Sequence, residues 1–401
     1  MDDVLGLVEA HEAWRGRRCI NLQASENVTS PAVRRILGSD LGHRYTLPSR
    51  SATGERGNDY GGTRFLDEVE GLGESLARAV FGSTHATLKP LGGHVAGLVA
   101  LLATCDRGDR ILVLDTRHGG YDGYTARYLP AVLGLRAESL PFDEARWTVD
   151  AERAAEAILA AKPKLVLLGG SFILFPYNLR WLRGACDDVG AVLAYDGSHV
   201  LGLIAGGEFQ RPLDEGADLL FGSTHKSFFG PQGAIVLANR DDVFGRVLEN
   251  LTWRALDNAH WNRVAATAQA LAEAKAFGAA YAKQVIANAR ALAAQLDRWG
   301  VPVKFRLLGY TGSHQVHLDS PRLEAEMGLR ADEFSRRLEA NDLIVDRIGR
   351  LGTSEVTRMG AREEEMQDLA GLIARSARGD DVRAEVAAVR ARFKLSFAFE
   401  A

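Results

Sequence analysis

Five short apolar runs, separated by stretches of helical spacing, constrain the fold of this chain more than any other feature. They are Ile111-Leu112-Val113-Leu114, Leu165-Val166-Leu167-Leu168, Val192-Leu193-Ala194-Tyr195, Leu219-Leu220-Phe221 and Ala234-Ile235-Val236-Leu237. A strand that is apolar at every position has both faces covered. Strands alternating with helices from about residue 65 to 285 therefore predict an α/β architecture with a mostly parallel sheet between helical layers. Ligands of such sheets bind beyond the carboxyl ends of the strands. Asp115, Gly169-Gly170, Asp196 and Ser223-Thr224 all fall at such ends.

On either side of this region the pattern changes. Residues 2 to 15 read as a helix with Leu5, Val8 and His11 on one face, followed by the extended Ile20-Asn21-Leu22. An Ala-rich stretch from about 262 to 298 reads as one long helix, and Gly300-Val301-Pro302 opens a smaller α+β region. The expected organisation is an N-terminal arm over 1–20, a large α/β domain over 21–285 and a small C-terminal α+β domain over 286–401. With 401 residues, 46% of them hydrophobic, there is ample material for a buried core. A net charge of -4, spread without blocks, gives no reason to expect nucleic acid or an acidic membrane as a partner. Cys19, Cys105 and Cys186 are too few and too scattered for a disulfide framework or a CxxC metal site. No apolar run is long enough to span a bilayer, and a soluble cytoplasmic protein is expected.

Against a background in which arginine dominates the basic residues, one lysine stands out. Lys226 closes Phe221-Gly222-Ser223-Thr224-His225-Lys226 directly after an apolar strand, thirty residues beyond the strand that ends in Asp196. An amine set among hydroxyls, histidine and glycine, with a carboxylate held opposite, is the equipment of pyridoxal phosphate (PLP) chemistry: one group forms an imine, the other keeps the pyridine nitrogen protonated.

Several motifs, in order, resemble those of serine hydroxymethyltransferases and their relatives among the fold type I PLP-dependent transferases. They are Ala24-Ser25-Glu26-Asn27, Asp59-Tyr60-Gly61-Gly62, His118-Gly119-Gly120, Asp196-Gly197-Ser198-His199-Val200, Leu203-Ile204-Ala205-Gly206-Gly207, Thr224-His225-Lys226 and Arg350-Leu351-Gly352-Thr353. The resemblance implies a seven-stranded sheet in the large domain. It implies that Lys226 carries PLP as an imine, that Asp196 pairs with the pyridine nitrogen and that His199 lies against the phenolic oxygen. Tyr121 takes the position of the residue that stacks on the ring. Gly92, Gly93, His94, Ser171, Ser223 and His225 complete the cofactor site, with Ser223 reaching the phosphate. Arg350, helped by Ser25, is implied to clamp the substrate carboxylate, with Arg347 and Arg358 close by as alternatives. Tyr45 and Tyr60 belong to a stretch that crosses into a neighbouring subunit's site, Tyr45 towards the cofactor phosphate and Tyr60 towards the substrate, so a homodimer or tetramer with shared sites is implied.

Departures from the family pattern point to the reaction. Leu47 stands where the family keeps a glutamate used in hydroxymethyl transfer, and a leucine moves no protons; Glu55, on the loop from Leu47 to Asp59, is a candidate substitute. A loop rich in Asn, Pro and Ser that helps to hold tetrahydrofolate is missing, since Ile344 to Gly349 runs straight into Arg350. Gln232 replaces an arginine after Gly230-Pro231, with Arg254 as a candidate source of the lost charge. The favoured expectation is a folate-independent aldolase or transaldolase acting on L-threonine or L-serine, with an aldehyde as the other small-molecule partner. A folate-dependent serine hydroxymethyltransferase, an aminotransferase or racemase, and a PLP-binding protein without turnover are the alternatives. No metal is expected. His314 and His317, three apart in an expected strand, point to opposite faces, and Glu363-Glu364-Glu365 reads as a solvated helix start.

Overall fold

The computed structural model describes residues 3–47 and 58–400, so Glu55 lies outside the described residues. The chain divides into two compact units. One comprises Thr29–Ala279 with Ala398–Ala401, and the other Met1–Val28 with Ala280–Phe397.

The first unit is built on a seven-stranded sheet. Its strands in chain order are β1 (His85–Thr87), β2 (Arg110–Val113), β3 (Arg136–Ser139), β4 (Leu165–Gly169), β5 (Val192–Asp196), β6 (Leu219–Ser223) and β7 (Ala234–Ala238), arranged β1-β7-β6-β5-β4-β2-β3. The five apolar runs are five of these strands, and β4 to β7 are buried at every position. Six strands share one direction; β7 runs against both neighbours. The reversal has a local cause. β6 returns to β7 through the short loop 224–233, which cannot make the crossover a parallel pair requires. That loop carries Lys226. β1 has three residues and β3 is an edge strand with Arg136, Glu138 and Ser139 exposed, so neither produces an apolar run.

One face of the sheet packs on the helix Gly93–Thr104, whose Ala96, Val99, Ala100, Leu101 and Ala103 are buried with Ile111, Val113, Leu165, Leu167, Ala194 and Phe221, and with Val243 and Val247 of the helix Asp241–Leu251. Small residues on the central helix let it sit directly beneath the strand ends. The long helix Trp261–Arg298 begins in this unit.

In the second unit, a core that includes Leu292, Leu296, Val316, Phe334, Leu351, Leu369 and Ile373 is covered by helices such as Ala331–Glu339 and Glu363–Arg378. The strand Ile20–Asn21 pairs in parallel with Leu343–Ile344, and Gln315–His317 pairs antiparallel with Arg350–Gly352. Residues 3–28 thus pack as part of this unit. Its N-terminal helix, Val4–His11, leaves Leu5 and Val8 exposed. Among the described residues, no helix is long and apolar enough to cross a membrane and no cluster of potential ligands could hold a metal ion.

Candidate active site

In the first unit, the strand ends bring most of the expected residues into one connected set. β5 ends in Asp196, whose side chain is 5% exposed. One carboxylate oxygen accepts the Ser198 backbone N–H at 2.9 Å and the other accepts the Tyr124 hydroxyl at 2.6 Å. Both donors are neutral, so the carboxylate has partners and retains lone pairs for a further donor. β6 ends in Ser223, whose backbone N–H donates to Ser198 Oγ at 3.0 Å. Where these strand ends meet the helix start, glycine is required. A Cβ on Gly93 would stand 2.3 Å from Ser223 Oγ and 3.1 Å from Ser198 Oγ. Gly92 caps this twelve-residue helix without any side-chain hydrogen bond, which leaves its N-terminus to an outside acceptor.

Glycines also let the neighbouring turns close on one another. Gly169 pairs with Asp196 at φ 129°, and a Cβ there would lie 2.2 Å from the Asp196 carbonyl oxygen. Gly120 bridges Gly170, and the Ser171 N–H donates to the Gly119 carbonyl at 2.8 Å. Tyr121 therefore leaves a turn fixed at the ends of β2 and β4. Its ring meets Tyr124 edge-on at 5.1 Å between centroids, and its hydroxyl lies 3.0 Å from His94 Nδ1. Burial, then the charges of Asp196 and Asp122, push the Tyr121 hydroxyl's pKa up. Tyr121 thus stays protonated near neutral pH.

Lys226 and His225 follow in the loop to β7. The Thr224 N–H donates to the Gly233 carbonyl at 3.0 Å and the Gly230 N–H to the Thr224 carbonyl at 2.7 Å, so the segment is held as a tight, buried turn. Burial, then the neighbouring Lys226 charge, pull His225 down to about 4, while a hydrogen bond with the Gly233 backbone offsets part of this. It is a neutral imidazole at physiological pH, and its buried Nδ1 has no partner. His199 is buried two residues beyond Gly197.

This set fits PLP. A buried carboxylate with spare lone pairs suits a pyridinium N–H, an uncapped glycine helix start beside a serine suits a phosphate, and a Tyr121–Tyr124 face suits an aromatic ring. Tyr45 and Tyr60 are not joined to the set by the contacts described. Their rings are 5.8 Å apart and exposed, and Tyr45 donates its hydroxyl to Asp257, which pushes its pKa up to about 12. Arg254 is exposed and donates to Asn250 at 2.8 Å.

Within the second unit, Arg350 is 6% exposed and donates Nε to Asp346 Oδ2 at 2.7 Å, while its backbone N–H donates to Asp346 Oδ1 at 2.9 Å. This doubly held pair fixes the plane of the guanidinium. Ser25 follows Ala24, whose Cα would be 2.4 Å from a Cβ on Gly352, so Gly352 lets the two segments lie side by side. Of the alternatives, Arg347 is turned to Glu339, and Arg358 is buried with Nη1 donating to the Phe397 carbonyl. His314 and His317 are both buried, and His317 is held well below its usual pKa by burial and by the Arg350 charge.

Sequence reasoning missed Tyr124, Ser198 and Asp346. Ser198 stands inside a quoted motif, and Asp346 lies four residues before Arg350, so both left a local trace. Tyr124 left none, because its place depends on Gly97, where a Cβ would be 2.4 Å from the Tyr124 hydroxyl oxygen.

Comparison with known proteins agrees with this geometry. A family model described as serine hydroxymethyltransferase matches residues 2–373. Serine hydroxymethyltransferase of Methanothermobacter thermautotrophicus is 41% identical over 411 residues, covering 98% of this chain and 94% of that protein. That of Korarchaeum cryptofilum is 41% identical over 410 residues, covering 94% and 92%. Among solved structures, L-threonine transaldolase from Pseudomonas fluorescens in its internal aldimine state superposes with a TM-score of 0.88 at 25% identity, covering 98% of this chain and 93% of that one.

Proposed function

The chain belongs to the serine hydroxymethyltransferase family, PLP-dependent enzymes of Cα–Cβ bond chemistry, and from that premise we propose that it cleaves and forms this bond in β-hydroxy-α-amino acids without folate. L-threonine or L-serine is the glycyl donor and an aldehyde the acceptor. The observation that carries this reading is the turn before Arg350. The strand Leu343–Ile344 is followed after only five residues by the strand Arg350–Gly352, which leaves no room for a pterin-holding loop. Leu47 supports it, because an apolar side chain takes the place of an acid-base group.

When bound, PLP supplies an electron sink for the negative charge that develops at Cα. The chain's own groups take the remaining work. Lys226 would offer the amine that holds the cofactor, and Asp196, held by Tyr124 and Ser198, would keep the proton on the pyridine nitrogen. The helix start at Gly92-Gly93, with Ser223, would hold the phosphate, and Tyr121 would lie against the ring. His94, Ser171, His199 and His225 line the same cofactor site. Arg350, its plane set by Asp346, orients the substrate carboxylate with Ser25, which selects the bond at Cα that stands ready to break. The working unit is a homodimer or tetramer to which Tyr45 and Tyr60 contribute across the interface, and the cytoplasm is its compartment.

A folate-dependent hydroxymethyltransferase is the second reading, favoured by the names of relatives about 40% identical over most of the chain. One assay set separates the two: turnover of L-threonine and L-serine with and without tetrahydrofolate, then with a panel of aldehydes. Acetaldehyde release from threonine without folate supports the proposal. Strict dependence on folate with serine rejects it.

A further inference from the structure

Arg263 is a buried charge that the site as described does not use. It lies in the first turn of the helix Trp261–Arg298 and is 6% exposed. Its acceptors are all carbonyls: Nη1 donates to Leu88 at 2.9 Å, and Nη2 donates to Lys89 at 2.8 Å and to Ala259 at 2.7 Å. Nε is buried without a partner. Burial pulls its pKa down to about 10, so it remains a cation at neutral pH, and among the described residues no carboxylate offsets the cost. Glu70, a carboxylate near this segment, is engaged by Lys89 Nζ at 2.6 Å. A cation in the first turn also faces the positive end of its own helix. The three carbonyls favour the cation, but burial and the helix end oppose it, and a buried ion without a counter-charge is costly.

Its position suggests what offsets that cost. The two carbonyls it grips, Leu88 and Lys89, lead directly into Gly92-Gly93, and the next residue, Pro90, accepts the Ala234 N–H at 3.1 Å. On the other side, Nη1 lies 2.8 Å from where a Cβ on Gly233 would stand, next to Thr224 Oγ1. Gly233 in turn receives the Thr224 N–H two residues before Lys226. Arg263 thus ties together the segment entering the helix start and the loop bearing the lysine. It also lines a cavity with Gln232, His260 and Asn262, in which it is the arginine and Gln232 is neutral.

We propose that Arg263 is a positioning residue for the cofactor phosphate, holding the approach to Gly92-Gly93 in place and supplying a buried positive charge to a dianion bound there. This rests on the reading that PLP occupies the site beside Lys226. It acts through the backbone and through its field rather than by touching the phosphate. The charge stays uncompensated in the protein because its counter-charge arrives with the cofactor.

The test compares PLP with pyridoxal, which lacks the phosphate, on the full-length chain stripped of cofactor. In Arg263→Met the dissociation constant for PLP is expected to rise about tenfold or more, the scale of one charge acting at an effective dielectric of about 20, while that for pyridoxal changes less than about twofold. Arg263→Gln, which keeps neutral donors for the carbonyls, gives the same selective loss if the methionine variant does not fold. A parallel fall for both ligands would mean a purely structural residue, and no fall for either would mean no role; both overturn the proposal. Failure of the PLP reading looks different, because the wild-type chain would then bind neither ligand as a borohydride-reducible imine.

Discussion

Replacing Tyr124 by phenylalanine removes one oxygen and leaves the packing against Gly97 otherwise intact. The lost contact is the 2.6 Å hydrogen bond to Asp196, with both partners buried. A hydrogen bond to a charged group contributes about 1.5–3 kcal/mol. For a unit of this size, about 2–4 °C of melting temperature accompanies each kcal/mol, so the cofactor-free variant should melt about 3–12 °C below the wild type. With PLP bound, a pyridinium N–H shares the same carboxylate and the deficit should shrink. Alkaline pH adds a second signature. Burial, then the Asp196 charge, raise the Tyr124 pKa well above 10 in the folded state, so its contribution is complete below the unfolded value of about 10 and is lost as pH rises past it. The gap between wild type and variant should therefore narrow above pH 10. Differential scanning calorimetry with and without PLP measures all three effects. Equal melting temperatures without cofactor, or a larger deficit with cofactor than without, would refute the assignment of Tyr124 as the residue that holds Asp196.

Other substitutions probe separate parts of the site. Gly97→Ala would bring a methyl within 2.4 Å of the Tyr124 hydroxyl oxygen; it should cost more than Tyr124→Phe, by about 1–3 kcal/mol of overpacking, measured by urea denaturation. Gly93→Ala crowds Ser223 Oγ, a side chain that can turn aside, so PLP titration should report weakened binding while thermal stability holds. A matching loss of both would place the damage in the fold. Glu355 is raised from 4.5 to about 7 by burial, with Asn21 opposing and Glu26 reinforcing the shift. A raised folded pKa means that its contribution is complete below about 4.5 and lost as pH rises through about 7. Glu355→Gln should therefore gain stability relative to wild type between pH 5 and pH 8, and an equal difference at both pH values would contradict the burial argument.

The sheet was legible because burial on both faces leaves a signature in single segments: each of the five apolar runs became a strand. β3 escaped because an edge strand needs apolar residues on fewer positions, and the reversal of β7 follows from loop length rather than from composition. The site was legible where chemistry is concentrated in short motifs, as at Asp196, His199 and Lys226. It was not legible where function depends on pairs distant in sequence. Tyr124 needs the absent side chain of Gly97, Arg350 needs the acceptor geometry of Asp346, and Arg263 reveals itself only through the carbonyls of Leu88, Lys89 and Ala259. The Tyr45 hydroxyl likewise donates to Asp257, 212 positions away in the sequence. Sequence spacing carries no information on which acceptor wins.

One measurement reaches the centre of the proposed chemistry: borohydride reduction of the protein saturated with PLP, followed by peptide mapping. The pyridoxyl label is expected on Lys226 alone, and Lys226→Ala should take up none. A label on another lysine, or a wild-type chain that stays unlabelled, would contradict it.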